Sequence, residues 1–559
     1  MNTLMNAVGG IADGIGPFLI LLGLLIFVHE LGHFLVAKFF KVRVETFSLG
    51  FGRKILQYKR GDTNYCVSLI PLGGYVKMYG DDPSKDVPES EKRHSFLHKP
   101  VAQRIAIVLA GPLMNLFFAF FLFLAIGLIG EPQIGNYLGD IETTSRAYEA
   151  GFRSGDKIIS IDGKSIESWP EAKAMINAGT NQKMHFVVQR ENSSEQAEIS
   201  VTPVLGENEN ILSKQSQVGV IEGLDSLSYA PMIGVIGTTS AAAKAGLKSL
   251  EVVTHVNDHE ILTWRDFEYF MLADIAAGKL PLKLKVQAYG NDDKPVTRDV
   301  VFEAAASTKN LNELGLETAQ LYLWKVKRGS PAEKAGLKSG DRVIAVDEQK
   351  IEAWSHVIES VKKYNPDRTA PVFTFRRGDE EIKAAITPEL TALIDHRGKD
   401  ERRFTIGIVS GMMQTNPRPV LYKAKGAGEL LSLGVRRTVE TSSMVVMSIV
   451  RLIQGDVSAR NIGGIISIGR FANQSYEAGL VQFLKMMALI SVNLFLLNLL
   501  PVPVLDGGHL VFFSIEALQG APLSMRKMEI AQTVGLVLLM SLMAFALFND
   551  ISNWLNSLW

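Results

Sequence analysis

His29-Glu30-Leu31-Gly32-His33 carries the plainest chemistry in this sequence. On a helix, residues four apart share one face. The two imidazoles can therefore bind one divalent ion, and the carboxylate between them can act on a water held beside it. These residues sit in an apolar run, 17–40, broken only by His29, Glu30, His33 and Lys38. Ionisable groups are costly in such a run and usually functional there. A catalytic zinc takes three protein ligands and keeps one position open, so a third ligand must come from elsewhere. Residues 498–509, Asn-Leu-Leu-Pro-Val-Pro-Val-Leu-Asp-Gly-Gly-His, close another apolar run. Their prolines should unwind the helix and let Asp506 turn inward, and Gly507 and Gly508 permit close backbone approach. His509 is a rival ligand on chemical grounds, and Asp506 has an alternative role as the cap of the next helix. Imidazole and carboxylate ligands suit zinc.

The elements that must position these groups are membrane spans. The chain has 559 residues, 47% hydrophobic and 21% charged, averages a soluble chain can also reach, so the distribution decides. Apolar runs at 17–40, 105–129, 483–504 and 533–548 predict four transmembrane helices, the last anchored by Trp554 and Trp559 at an interface. The second run carries no charge at all, which suits lipid better than a soluble core. Lys and Arg crowd the connection between the first two spans, and Arg526 and Lys527 lie between the last two. Those connections should be cytoplasmic, with both termini and the long polar insert on the outer side. The N-terminus lacks the basic segment of a cleavable signal peptide. Zero net charge gives no reason to expect nucleic acid, and a single cysteine, Cys66, excludes an intramolecular disulfide.

Residues 49–78 alternate weakly, with turn signals at Arg60-Gly61-Asp62 and Pro71-Leu72-Gly73-Gly74, and predict a β-hairpin or looped sheet, which could either pair with an extended chain beside the site or be a plain cytoplasmic hairpin. Residues 431–449 mix Arg436, Arg437 and Glu440 with apolar residues and read as an amphipathic helix on the membrane surface. The insert repeats. Ala150-Gly151, Ala245-Gly246 and Ala335-Gly336 each lead to a tryptophan (Trp169, Trp264, Trp354) 18 residues after the glycine. Units about 90 residues apart suit small domains, and their pattern resembles PDZ domains, which bind extended chains or C-termini by strand addition. The middle unit has Leu250-Glu251 where its siblings have Gly-Asp, so its turn is altered.

The paired signatures at 29–33 and 498–508 resemble those of the site-2 protease family of intramembrane metalloproteases. The resemblance covers all four spans, including Gly111-Pro112-Leu113-Met114-Asn115 and Leu547-Phe548-Asn549-Asp550. It implies zinc ligands at His29, His33 and Asp506, a catalytic Glu30, and substrate holding by Asn498, Pro501 and Pro503. The β segment, with Gly73 and Gly74, would pair with substrate. The implied fold is a polytopic α-helical membrane protein with four transmembrane helices, a membrane-associated β-hairpin or sheet, and inserted α+β PDZ-like domains. Its expected parts are 1–130 (two spans and the β segment), 131–215, 216–308 and 309–395 (three PDZ-like units), 396–480 (linker and surface helix) and 481–559 (two spans). Members of this kind commonly carry two PDZ domains, so a third is a departure. The resemblance also implies a monomer in the bacterial inner membrane, with its site toward the cytoplasm. Implied substrates are single-span proteins: a pre-trimmed anti-sigma factor in a stress response, and signal-peptide remnants. The competing reading is a membrane-anchored PDZ scaffold with a structural metal, disfavoured because structural zinc sites usually have four protein ligands.

Overall fold

The structure, a computed structural model, describes residues 2–82, 85–143, 145–210, 212–213, 215–289, 295–394, 400–415 and 418–558. It divides into two compact units: Met1–Glu131 with Asn210–Lys214 and Tyr422–Trp559, and Pro132–Glu209 with Gln215–Leu421.

The first unit contains α1 (Asn2–Phe39), β1 (Val44–Arg60), β2 (Thr63–Met78), α2 (Val101–Ile129), α3 (Ala427–Gln454), α4 (Ile465–Glu477), α5 (Leu480–Asn498), α6 (Asp506–Gln519) and α7 (Met525–Leu558). Among the described residues, four helices are long and apolar enough to cross a membrane: Gly16–Phe39, Val101–Ile129, Leu480–Asn498 and Met525–Asn553. The third stops at Asn498 rather than 504, because Pro501 and Pro503 cannot donate to a helical ladder. The fourth starts eight residues earlier than expected, its first turn carrying Arg526 and Lys527. Trp559 and the side chain of Trp554, the expected anchors, lie outside the described residues.

Leu21 and Leu25 of α1, Ala119 and Phe123 of α2, and Met487 and Val492 of α5 share one buried cluster. Lipid tails are as apolar as these side chains, so helix contacts in a membrane depend on close packing of small residues. Gly32 provides such a contact: a β-carbon there would stand 2.3 Å from the carbonyl oxygen of Ala110. Further bonds tie the amphipathic helices down. Buried Glu131 pairs with Arg437 of α3 and, at 2.7 Å, with Lys485 of α5. Asp550 accepts from the backbone amides of Gly464, Ile466 and Ser467 at 3.0–3.2 Å, capping the N-terminus of α4 from α7.

β1 and β2 form more than a plain hairpin. Leu49 pairs with both Gly74 and Val67, and Ser48 with both Tyr75 and Cys66. The first half of β1 is thus flanked on both edges, and Gly50 and Gly52, at φ 89° and 83°, supply the left-handed backbone its reversal needs. The turn at 60–62 forms as expected. The signal at 71–74 does not end a strand, since β2 runs through it to Met78.

The insert contains, among the described residues, three four-stranded sheets of one strand order. Their central strands are Lys157–Ile161, Val252–Val256 and Arg342–Val346. Each is followed by a helix that starts at the repeated tryptophan: Trp169–Ala178, Trp264–Ala276 and Trp354–Lys362. The expected boundaries fall short. Leu316–Thr318 returns to pair with Ile233–Val235, Ile408–Ser410 with Leu323–Val326, and Gly139 donates to the Asp225 carbonyl at 2.7 Å. Each unit is closed by a segment that arrives after its apparent end, a strand in the second and third units, and the chain up to Leu421 belongs to the insert rather than to a linker. The middle turn survives its substitution. Leu250 adopts φ 74°, the region taken by Gly155 and Gly340, at a cost of about 1–2 kcal/mol. Glu251 replaces the sibling aspartates, bonding Arg298 at 2.8 Å as Asp156 bonds Arg190 at 2.6 Å and Asp341 bonds Arg377 at 2.7 Å.

Candidate active site

His29 and His33 stand one turn apart on α1, and Asp506 opens α6, brought back to them by the irregular segment 499–505. His29 Nε2 lies 3.2 Å from His33 Nε2. Asp506 Oδ2 lies 3.2 Å from the first and 3.5 Å from the second. Zn–N bonds of about 2.0–2.1 Å at tetrahedral angles give ligand-to-ligand edges of about 3.3 Å, so the triangle has the dimensions of one face of a zinc site. Oδ2 is buried and receives no hydrogen bond, which is costly for a carboxylate oxygen unless a cation meets it. His509, the rival, packs beside Phe512 and Phe513 with ring centroids 6.3 and 6.4 Å away. Among the described residues it does not join the His29–His33–Asp506 group. Nor does Asp506 cap α6 with its side chain, since Leu505 holds the cap position and no side-chain bond is made there.

Helix α2 fixes the imidazoles. His33 Nδ1 donates to the Ile107 carbonyl at 2.8 Å, which leaves Nε2 free to act as a ligand. The Asn115 amide faces His29 Nδ1 at 3.3 Å, and its oxygen is otherwise unpartnered. Turned so that this oxygen accepts from Nδ1–H, the amide frees His29 Nε2 in the same way. Ser491 Oγ of α5 donates to the Asn115 carbonyl at 2.7 Å. In the sequence Asn115 shows only as a lone amide in an uncharged span.

Glycines let the parts approach. A β-carbon at Gly507 would lie 2.1 Å from Leu500 O, and one at Gly508 2.4 Å from Val502 O, so segment 499–505 folds directly over the first turn of α6. At Gly74 it would lie 3.2 Å from Glu30 Cγ, which sets the outer strand of β2 against that side chain. Gly73 contacts Phe51 instead. Asn498 ends α5, Pro501 sits in the broken segment, and Pro503 backs Gly508 and Gly535. At Gly111 a β-carbon would fall 2.3 Å from His33 Nε2. Gly111→Ala should therefore displace that ring and speed zinc release by about 10- to 100-fold, the scale of lost outer-shell support. Helical circular dichroism should stay unchanged. Zinc retention equal to wild type, measured with a chromophoric chelator, would show that the ring tolerates the methyl.

Fold and site together define a metal-dependent protease built into membrane helices. The chain belongs to peptidase family M50, whose model matches residues 17–542, and it is an intramembrane zinc metalloprotease of the site-2 type. It is 31% identical to Protease RseP of Yersinia pestis, over 96% of this chain and 98% of that protein. It is likewise 31% identical to Regulator of sigma-E protease RseP of Escherichia coli K12, with the same coverage. A Neisseria meningitidis serogroup A protein that bears a zinc metalloprotease name is 31% identical over 96% of this chain and 99% of its own length. The solved PDZ domain of an SdrC-like protein from Listeria monocytogenes aligns at 26% identity with 17% of this chain and 90% of that domain, at a TM-score of 0.14.

Proposed function

We propose that His29, His33 and Asp506 hold the zinc and that Glu30 is the general base and acid for cutting single-span membrane proteins within or beside the bilayer. The observation that carries this is the triangle of Nε2, Nε2 and Oδ2 atoms, 3.2–3.5 Å apart, with Glu30 on the intervening turn. Zinc bound by these three residues would supply a Lewis acid for the scissile carbonyl and bring the pKa of a water at the site toward neutrality. Glu30 accepts that water's proton as it attacks the carbonyl carbon, and returns it to the amine nitrogen as the C–N bond breaks. The substrate must arrive unwound, because a helix occupies its carbonyls with its own hydrogen bonds. The strand through Gly73 and Gly74, beside Glu30, offers backbone groups to an extended segment. Asn498, Pro501 and Pro503 border the other approach, on the segment that enters Asp506.

The insert, as PDZ-type units, acts as a gate admitting chains already trimmed on the outer side. The name of the relatives, regulator of sigma-E protease, supports a role in a sigma-factor response; the substrates of this reading are an anti-sigma factor stub and signal-peptide remnants. The enzyme works as a monomer in the inner membrane, with its insert and both termini periplasmic and the site toward the cytoplasm, as the Lys and Arg asymmetry of the loops favours. The test uses purified full chain in detergent with single-span substrates, whole and trimmed. Trimmed substrates should be cut, chelation should stop cleavage, and added zinc should restore it. Intact trimmed substrates after incubation with zinc-loaded protein would refute the proposed reaction, and equal cutting of whole substrates would refute the gate.

A further inference from the structure

Asp506 hangs from the least regular backbone in the site. Segment 499–505 is held by short turn bonds, Val502 N to Leu500 O at 2.7 Å and Leu505 N to Val502 O at 2.8 Å, and its two prolines donate none. That side alone leaves the rotation of α6 poorly fixed. The other end of α6 is fixed firmly. Glu516 takes both arms of Arg104 from α2, Nη1 to Oε2 at 3.0 Å and Nη2 to Oε1 at 2.6 Å. Arg104 Nε donates to the Lys99 carbonyl at 3.0 Å, and its guanidinium lies 4.8 Å over the Phe513 ring. The two side chains are only 7% and 15% exposed.

Asp506, Leu510, Phe513 and Glu516 follow the i, i+4, i+7, i+10 spacing of one helix face. Leu510 and Phe513 on that face pack with Ile107 and Val108 of α2. The same stretch of α2 supplies the Ile107 carbonyl to His33 and the Asn115 amide to His29. All three ligands are thus referenced to one helix.

We infer that the Arg104–Glu516 pair positions the third zinc ligand, by locking the rotation and register of α6 on α2 so that Asp506 Oδ2 meets both imidazoles. The geometry is demanding. A carboxylate about 6 Å from the helix axis moves about 1 Å for each 10° of rotation, while metal–ligand distances tolerate about 0.2 Å. A buried ion pair is weak evidence of net stability, since apolar residues of like volume often replace one without loss. What the two-armed pairing adds is orientation, and apolar side chains in its place would not supply it.

This inference rests on the zinc ligands proposed above, so its test reads zinc itself. Full chain in detergent is loaded with zinc, and release to a chromophoric chelator is timed alongside thermal unfolding and cleavage. The proteins compared are wild type, Glu516→Gln, and the double variant Arg104→Met with Glu516→Met. The double variant should melt as wild type does yet release zinc about 10- to 100-fold faster, the scale of lost outer-shell support. Its kcat should fall with KM little changed. Glu516→Gln, which keeps the shape but loses the charge, should release zinc at an intermediate rate. Wild-type retention in both variants would overturn this inference alone. Wild type that binds no zinc would overturn the ligand set, and this inference with it.

Discussion

Glu30→Gln should leave zinc bound and end peptide hydrolysis. The two side chains match in size, so the replacement fits the same space on α1 against the outer strand at Gly74, where a β-carbon would already stand 3.2 Å from Glu30 Cγ. Glutamine is not a metal ligand in this arrangement, and the His29–His33–Asp506 triangle does not depend on it. What is lost is a proton acceptor and, later in the same turnover, a donor. General acid–base catalysis contributes about 10²–10⁴-fold, and one residue serves both transfers here, so turnover of a trimmed single-span substrate should fall by about 10³-fold or more. Zinc per mole of protein should match wild type. Cleavage within tenfold of wild type would remove Glu30 from the reaction and leave the water's proton without an acceptor.

Much of this is legible in the amino-acid sequence itself, for identifiable reasons. The His29–His33 pair declares itself because ligand spacing and helix period coincide. The break after Asn498 declares itself because proline removes a donor. Rank between Asp506 and His509 was not readable from spacing. Both follow the same broken segment, and only the rotation of α6, set partly from its far end, decides which side chain faces α1. The roles of Asn115, Arg104 and Glu516 are not legible for a related reason: each acts across the bundle on a partner distant in sequence, and a single polar residue has no period to detect. A local Ala-Gly…Trp pattern marks the insert units but not their limits, because the closing segment bonds the start of its unit across some 80 residues. Leu250 is the converse case. It looked like a broken turn, yet the surrounding bonds, including Glu251 to Arg298 at 2.8 Å, hold a leucine in the backbone region its siblings give to glycine.

Asp506→Ala should have opposite effects on zinc retention and on the stability of the empty fold. Two imidazoles remain, one ligand short of what a catalytic zinc requires. Zinc release should exceed the ~10- to 100-fold acceleration that outer-shell losses produce, and cleavage should become undetectable. The fold should not suffer, because Asp506 contributes no cap bond to α6 and its Oδ2 is buried without a hydrogen bond. An oxygen so placed is desolvated without full return until a cation arrives. Zinc-free Asp506→Ala should therefore melt at or above the temperature of zinc-free wild type. Added zinc should raise only the wild type, by about 2.7 kcal/mol of stability at a hundredfold excess over Kd. Thermal unfolding in detergent with and without zinc separates the cases. A variant that melts well below zinc-free wild type would mean that Asp506 is chiefly structural. A variant still stabilised by zinc to the wild-type extent would mean that the ion sits elsewhere, and the approach of the Asp506 carboxylate to the two imidazoles would then need another purpose.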